Sequence, residues 1–234
     1  MSHRNPLEAL EPRSLLSTAL PTPPPTDPGV HLVGHTCYIN GTGGNDFIRV
    51  SPAPASGSVQ RPGQIQVQLN GSSPVIRPGN MQRFVVHGFA GNDTIRFDVG
   101  LPAPFHPRVL IIHGDDGNDT LTGTERDDRI FGDAGDDLVI GFSGNDEIHG
   151  GAGNDRLDGG YGTDRVFGDD GDDVLFGGPG ADRLFGGVGN DDFMNNESTP
   201  ERAAASARDT LDGGGGNDTA QNDPADRYRL VTGS

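Results

Sequence analysis

The sequence is poor in the residues that build thick cores and covalent cross-links. Its 234 residues contain no tryptophan and only 32% apolar residues, which is too little for a thick globular core. Cys37 is the single cysteine, so no intramolecular disulfide can form. No run of eighteen apolar residues occurs, and we therefore predict no membrane-spanning segment.

Basic residues are also scarce. Arginine and lysine together number 17 against 34 acidic residues, which gives a formal net charge of −17 at pH 7. Such a charge argues against nucleic acid as a partner and favours cations. The chain has no HExxH pair, no G-x-S-x-G, and no local signature of a nucleophile around Cys37. We therefore predict that the protein is not an enzyme.

Glycine, by contrast, is abundant, with 38 residues, and much of it lies in one regular array. Nine contiguous units of nine residues run from Gly114 to Met194, with the consensus G-[G/x]-x-G-[N/D]-D-x-U-x, in which U is apolar. The sixth place is always aspartate: Asp119, Asp128, Asp137, Asp146, Asp155, Asp164, Asp173, Asp182 and Asp191. The eighth place is always apolar: Leu121, Ile130, Val139, Ile148, Leu157, Val166, Leu175, Leu184 and Phe193.

The unit predicts a turn followed by a short strand. Glycine, asparagine and aspartate reach positive φ at low steric cost, and three residues with one central apolar side chain make a minimal strand. Two units form one flattened coil, and coils stack at the strand spacing of about 4.8 Å. The eighth places then meet inside as a thin core. The predicted fold is all-β, a parallel β-solenoid.

Stacked coils place the sixth-place aspartates in two columns. The first comprises Asp119, Asp137, Asp155, Asp173 and Asp191, and the second comprises Asp128, Asp146, Asp164 and Asp182. Carboxylates stacked so closely repel unless a counter-charge lies between them. Calcium accepts six to eight oxygens in flexible geometry, and backbone carbonyls of the turns can supply those that the aspartates do not. One ion per gap predicts about seven calcium ions in the array.

The array resembles the RTX, or haemolysin-type, calcium-binding repeat. The resemblance implies a parallel β-roll with calcium held between successive turns by sixth-place aspartates and turn carbonyls. In this chain the implied metal ligands are the nine aspartates above, Asp218 of a degenerate last unit, and the fourth-place glycines Gly117, Gly135, Gly144, Gly153, Gly162, Gly171, Gly180 and Gly189. Whether Asp46 and Asp93 also bind calcium is left open.

One residue departs from the consensus, because Arg126 stands where the fourth-place glycine is expected. We predict that this place needs positive φ, so that the arginine strains its turn and weakens the neighbouring calcium sites. Two other interpretations of the array remain. Low apolar content and high charge also mark a disordered linker, although a linker has no reason to keep the eighth place apolar. The chain can also be disordered without calcium and ordered with it.

The flanks divide into three further segments. Residues 1–28 are predicted to be a disordered leader and proline-rich spacer, and residues 10–16 resemble the LEPR-xLL motif of bacterial exported or cell-surface proteins. An unstructured tail is the alternative. Residues 29–113 are predicted to be β-rich, because Asn45-Asp46 and Asn92-Asp93 repeat the array's signature and the alternating runs Gln64 to Leu69, Arg83 to Val86 and Arg108 to Ile112 are typical of strands. They form either wider β-coils of the solenoid or a small β capping region.

Residues 195–234 are predicted to hold an insertion with a short helix at Thr199–Ala205, a degenerate last coil and a C-terminal cap. The predicted location of the protein is extracellular or cell-surface.

The ninth places include Phe131, His149, Phe167 and Phe185 along one edge, and Ile140, Phe176 and Met194 along the other. They either stack on one another as a ladder or form an outward apolar strip for an unknown protein or cell-surface partner. The third places form no ladder of small hydroxyl residues, which excludes an ice-binding face.

Overall fold

The computed structural model describes residues 26–52, 65–71, 75–76, 82–98, 109–194, 209–220 and 227–229. Residues 1–25, which include the LEPR-xLL motif, and the predicted helix at Thr199–Ala205 lie outside these ranges. Every regular element within these ranges is a β-strand. The described residues contain no helix that is long and apolar enough to cross a membrane. The strands form two stacked sheets, and the chain passes back and forth between the sheets along the array. The predicted parallel β-roll is confirmed.

The first sheet has ten strands that lie side by side in chain order. They are β1 (Gly29–Val33), β2 (Thr36–Asn40), β6 (Arg83–His87), β8 (Val109–Asp116), β10 (Asp128–Ala134), β12 (Glu147–Ala152), β14 (Arg165–Asp170), β16 (Arg183–Val188), β18 (Thr210–Gly215) and β20 (Arg227–Arg229). All neighbours are parallel except β1 and β2, which pair antiparallel. The antiparallel hairpin therefore covers the N-terminal edge of this sheet.

The second sheet also has ten strands. In spatial order they are β5 (Val75–Ile76), β4 (Ile65–Leu69), β3 (Phe47–Pro52), β7 (Thr94–Phe97), β9 (Thr120–Thr122), β11 (Leu138–Ile140), β13 (Arg156–Asp158), β15 (Val174–Phe176), β17 (Asp192–Phe193) and β19 (Thr219–Ala220). The strands β3, β4 and β5 pair antiparallel, so this sheet too begins with a meander. Both N-terminal edges of the stack are thus covered by antiparallel strands, as exposed edges require.

The register follows the nine-residue period. Ile130 pairs with Ile148 and Ile148 with Val166, so each coil of the array takes eighteen residues. The eighth places are at most 2% exposed and meet between the sheets. The same core continues before the array through Ile48 and Ile95, and after it through Leu211. The thin core that the sequence predicts therefore extends beyond the nine units at both ends.

A ladder of rings runs along the outer face of the first sheet. We call these seven residues the ring ladder: Phe89, His87, His113, Phe131, His149, Phe167 and Phe185. Neighbouring ring centroids lie 4.4 to 5.7 Å apart, and six rings from His87 onward are parallel to within 14°. Stacking of the ninth places on one another is confirmed. On the second sheet Asp158 separates Ile140 from Phe176, and the guanidinium of Arg156 lies 4.4 Å from the Phe176 ring centre.

Candidate metal centre

Two columns of aspartates run the length of the roll, one at each row of turns. Within each column the backbone N–H of one aspartate donates to Oδ1 of the next, with N···O distances of 2.7 to 3.1 Å. The first column contains Asp46, Asp93, Asp119, Asp137, Asp155, Asp173, Asp191 and Asp218. The second contains Asp128, Asp146, Asp164, Asp182 and Asp209.

The structure therefore brings the nine predicted aspartates together in the predicted columns and adds members at the ends. Asp46 and Asp93 precede the array although 47 and 26 residues separate them from the next aspartate in the column. Asp218 is the last described member of the first column, and Asp209 is the last described member of the second. The sequence signal for Asp46 and Asp93 was their Gly-Asn-Asp context, whereas Asp209 has no such context.

The second carboxylate oxygen has a different environment. Nine aspartates of the columns have a buried Oδ2 without a hydrogen-bond partner among the described residues: Asp93, Asp119, Asp137, Asp146, Asp155, Asp164, Asp173, Asp191 and Asp218. Buried polar atoms almost always have a partner, and an exception calls for an explanation such as a bound ion. A row of such oxygens at one repeated position indicates a site built for a cation.

The first-place glycines complete this environment. A Cβ atom at Gly150 would lie 2.2 Å from Oδ2 of Asp155 and 2.7 Å from the carbonyl oxygen of Gly168 in the next coil. Only glycine leaves this space open. The same pairing of an unpartnered Oδ2 with a carbonyl of the next coil recurs beside Gly88, Gly114, Gly132, Gly150, Gly168 and Gly186 in the first column, and beside Gly141 and Gly159 in the second. The donors are all oxygens, which suits a hard cation such as calcium.

Comparison with known families agrees with this chemistry. A family model described as RTX calcium-binding nonapeptide repeat (4 copies) matches residues 113–141, 122–157, 140–175, 158–193 and 205–220. Residues 113–193 and 205–220 therefore match the RTX calcium-binding repeat. The family binds calcium and is typically non-catalytic. A comparison of the whole chain with curated proteins gives no match.

The fourth-place glycines of the RTX array have a separate structural role. All eight have positive φ, and each stacks closely on the turn of the preceding coil. A Cβ atom at Gly153 would lie 2.1 Å from the carbonyl oxygen of Gly135. Their assignment as carbonyl ligands stays a prediction. The sequence interpretation missed the first-place glycines, whose carbonyls lie beside the unpartnered Oδ2 atoms, although their presence in all nine units was the available signal.

Burial perturbs the carboxyl groups of the columns. Burial, reinforced by neighbouring aspartates, raises the pKa of Asp146 to about 8 and the pKa of Asp137 to about 7, although backbone N–H donors lower both. The pKa of Asp155 rises to about 6 for the same main reason. An adjacent cation has the opposite effect on a carboxyl pKa. The ion-free columns therefore favour protonation, and a bound cation would restore the charged form.

A second ladder, formed by fifth-place side chains, lies on the solvent side of the first column. The Oδ1 atom of Asp136 accepts from the backbone N–H of Asn154, and Oδ1 of Asn154 accepts from that of Asp172, both at 2.8 Å. In these bonds the donor N–H lies one coil after the acceptor, whereas in the sixth-place bonds the donor N–H lies one coil before it. The alternation of asparagine and aspartate at this place signalled a role that the sequence analysis did not assign.

The prediction for Arg126 is wrong, because its φ is not positive. Arg126 belongs to the first turn of the second column among the described residues, because Asp128 is the first aspartate of that column. Gly44 has the corresponding place at the start of the first column, also lacks positive φ, and has no atom within 4 Å of an added Cβ. Fourth-place glycine is required only where a turn stacks on a preceding one. Arg126 therefore marks the beginning of a column and does not strain it.

A group of His87, His113 and Asp115 also brings potential metal ligands within 4.8 Å of one another. The two imidazoles are stacked, with centroids 4.8 Å apart and planes within 6°. Parallel rings direct their nitrogen lone pairs side by side and not toward one point. The Nδ1 atom of His87 already lies 3.0 Å from Oδ2 of Asp115. Burial by itself would raise the pKa of Asp115, but the contacts with His87, the backbone N–H of Phe89 and His113 together lower it. The group is part of the ring ladder.

Proposed function

We propose that this chain is a non-enzymatic β-roll that folds on binding calcium and works outside the cell or at the cell surface. The observation that carries the proposal is the row of buried Oδ2 atoms that have no hydrogen-bond partner among the described residues. Bound calcium would supply the positive charge that these carboxylates require. The residues that would hold it are the column aspartates, together with the first-place glycine carbonyls that face them.

The number of ions follows from where these donors coincide. Six gaps of the first column and two of the second combine an unpartnered Oδ2 with a carbonyl of the next coil. The proposed stoichiometry is therefore eight ions, compared with the seven expected from the nine units alone. Eight calcium ions carry roughly sixteen positive charges, close to the formal net charge of −17. Loading would thus nearly neutralise the protein.

The location follows from affinity. Extracellular calcium modules bind with dissociation constants of about 10⁻⁴ to 10⁻³ M, far above the calcium concentration of the cytosol. A roll whose carboxylates repel without calcium would stay open inside the cell and close outside it, because ligand binding and folding are coupled. The resemblance of residues 10–16 to the LEPR-xLL motif of exported proteins supports the same location.

The test is a calcium titration at pH 7.5, followed by circular dichroism and small-angle X-ray scattering. We expect a β-poor, expanded chain in chelator and a compact β-rich chain at millimolar calcium. Magnesium at the same concentration is the control, since its smaller octahedral shell should replace calcium poorly. A compact chain in excess chelator, or no bound calcium in equilibrium dialysis, would contradict the proposal.

A second candidate function is adhesion or self-assembly through the outward apolar strip, with calcium purely structural. The observation in its favour is that the ring ladder is continuous over seven residues on one outer face. An observation against it is that the rings stack face to face and are half-buried, so a partner could contact only their edges. Crosslinking and sedimentation with and without calcium separate the two candidates. Calcium-dependent association that Phe167→Ser abolishes would favour adhesion or assembly.

A further inference from the structure

The two aspartate columns begin with the same local sequence. The first starts in Gly41-Thr42-Gly43-Gly44-Asn45-Asp46 and the second in Gly123-Thr124-Glu125-Arg126-Asp127-Asp128. Both carry threonine at the second place. Within the units of the array, Thr124 is the only second-place threonine. The shared feature therefore belongs to column starts and not to the repeat in general.

Each of these threonines binds the first carboxylate of its column. The backbone N–H of Thr124 donates to Oδ2 of Asp128 at 2.6 Å, and its hydroxyl donates to the same oxygen at 2.9 Å. The backbone N–H of Thr42 likewise donates to Oδ2 of Asp46, and its hydroxyl does so at 3.1 Å. The Oδ2 atoms of Asp46 and Asp128 thus accept hydrogen bonds from the protein. The Oδ2 atoms of nine later aspartates in the columns have no hydrogen-bond donor among the described residues.

The backbone explains why threonine can do this only at a column start. Five other second-place residues with side chains have φ between 71° and 78°: Phe89, Asp115, Asp133, Phe142 and Asp169. Thr42 and Thr124 do not have positive φ, which a β-branched residue adopts only at high cost. Their turns therefore follow a different path, which directs the second-place N–H at the carboxylate. A first turn is free to do so, because it has no earlier turn of its column to stack on.

We propose that Thr42 and Thr124 are start caps that replace calcium at the first gap of each column. Their hydrogen bonds satisfy the oxygen that elsewhere faces a cation, so the gaps from Asp46 to Asp93 and from Asp128 to Asp146 hold no ion. A column can then begin without an ion in its first gap. This inference rests on the proposed calcium binding, and it identifies the two gaps between column aspartates that bind no calcium.

The test compares two matched substitutions in the full chain, Asp128→Asn and Asp146→Asn, by native mass spectrometry at saturating calcium. Among the described residues no earlier aspartate donates to Oδ1 of Asp128, and the hydroxyl of Thr124 lies 3.2 Å from that atom. Asparagine can therefore keep its oxygen toward the backbone N–H of Thr124 and place its amide nitrogen at the Oδ1 position, where the threonine hydroxyl can accept from it. In Asp146 the backbone N–H of Asp128 occupies Oδ1, so the amide nitrogen would take the Oδ2 position and repel a cation. We expect Asp128→Asn to keep the wild-type number of ions and Asp146→Asn to lose one.

A second pair tests the threonine itself. Thr124→Gly permits positive φ and removes the hydroxyl, so the turn can adopt the repeat geometry and Asp128 should gain an ion. Thr163→Gly, an exposed fifth-place change in the same column, should leave the number unchanged. Thr124→Ser keeps the hydroxyl and should behave as wild type, which shows that the site tolerates substitution. If Thr124→Gly does not fold, the aspartate pair decides alone.

The outcomes separate the inference from the function on which it rests. Loss of an ion from Asp128→Asn would overturn the start caps and leave calcium binding intact. An unchanged ion count in a folded Thr124→Gly chain would overturn them as well. A wild-type chain that binds no calcium would instead remove the proposed function.

Discussion

His149 and Asp169 lie on successive coils and join the ring ladder to the turns: Nδ1 of His149 is 3.0 Å from Oδ2 of Asp169. The His149 ring also stacks between Phe131 and Phe167, at 5.2 and 4.4 Å. Asp169 has a φ of 74°, a conformation that aspartate tolerates better than most residues. The side chain at a turn thus orients a ring on the sheet. His87 with Asp115 and His113 with Asp133 repeat the arrangement.

The ladder should contribute to stability through both its stacking and its hydrogen bonds. His149→Ala removes two ring contacts, and aromatic pairs are worth about 0.5–1.5 kcal/mol each, so we expect a loss of about 1–3 kcal/mol. His149→Phe keeps the stack and loses only the Asp169 bond, so it should cost about 1 kcal/mol. Urea unfolding at saturating calcium measures both. The control is Val188→Ala, which truncates a side chain that is 66% exposed. If Val188→Ala lowers the free energy of unfolding as much as His149→Ala does, the ring ladder makes no special contribution to stability.

Calcium affinity should depend on position within a column. Asp155 lies in the middle of the first column, whereas Asp218 is the last member of that column among the described residues. We expect Asp155→Ala to raise the calcium concentration at the folding midpoint several-fold more than Asp218→Ala, because it interrupts the column on both sides. Circular dichroism during a calcium titration measures the midpoints. Equal midpoints would mean that calcium binding is not organised by the columns.

The ion-free and calcium-bound forms should respond oppositely to pH. Burial raises the pKa of Asp155 to about 6, of Asp137 to about 7 and of Asp146 to about 8, all above the value of 3.8 for a free side chain. A raised pKa stabilises the ion-free fold at low pH, and this stability is lost as the pH rises through 6 to 8. Calcium requires the ionised carboxylates, so the calcium midpoint should rise as the pH falls from 8 to 6.

Two measurements check this pair of expectations. Calcium titrations at pH 8, 7 and 6 give the midpoints, and the β-content of a chain freed of calcium on a chelating resin is followed from pH 8 to 5.5. His149→Phe is the control, because it leaves every column carboxyl in place and should therefore preserve the effect. An ion-free chain with the same β-content at pH 5.5 and pH 8 would contradict the assignment of the effect to the columns.

Fourth-place substitutions should divide by whether a turn lies beneath them. Gly153→Ala puts a Cβ 2.1 Å from the carbonyl oxygen of Gly135 at a φ of 138°, so it should cost more than about 2 kcal/mol and raise the calcium midpoint. Arg126→Gly relieves no strain and should leave the calcium midpoint unchanged or slightly higher, since glycine orders at a cost of about 0.5–1 kcal/mol. Both are measured by calcium titration. A lower midpoint for Arg126→Gly would restore the strained turn that the sequence suggested.

The nine-residue pattern is enough to predict the roll, its period and the two aspartate columns of the array. Local chemistry suffices for this, because the nine-residue unit combines a glycine turn with one core residue, and identical units stack in only one register. The predicted strands at Gln64 to Leu69, Arg83 to Val86 and Arg108 to Ile112 lie within about one residue of β4, β6 and the start of β8. Their alternating apolar residues carried enough information to place them.

Tertiary structure alone decided where each column begins, which carbonyls face the aspartates and how Asp46 and Asp93 join the first column. These features depend on which turn lies against which, and the segments of 47 and 26 residues before the array hide that relationship from any fixed spacing. Arg126 shows the physical reason. The same place needs glycine where a turn stacks on a preceding turn of its column and accepts arginine in the first turn of a column, so the nine-residue consensus cannot reveal which case applies until the coils are stacked.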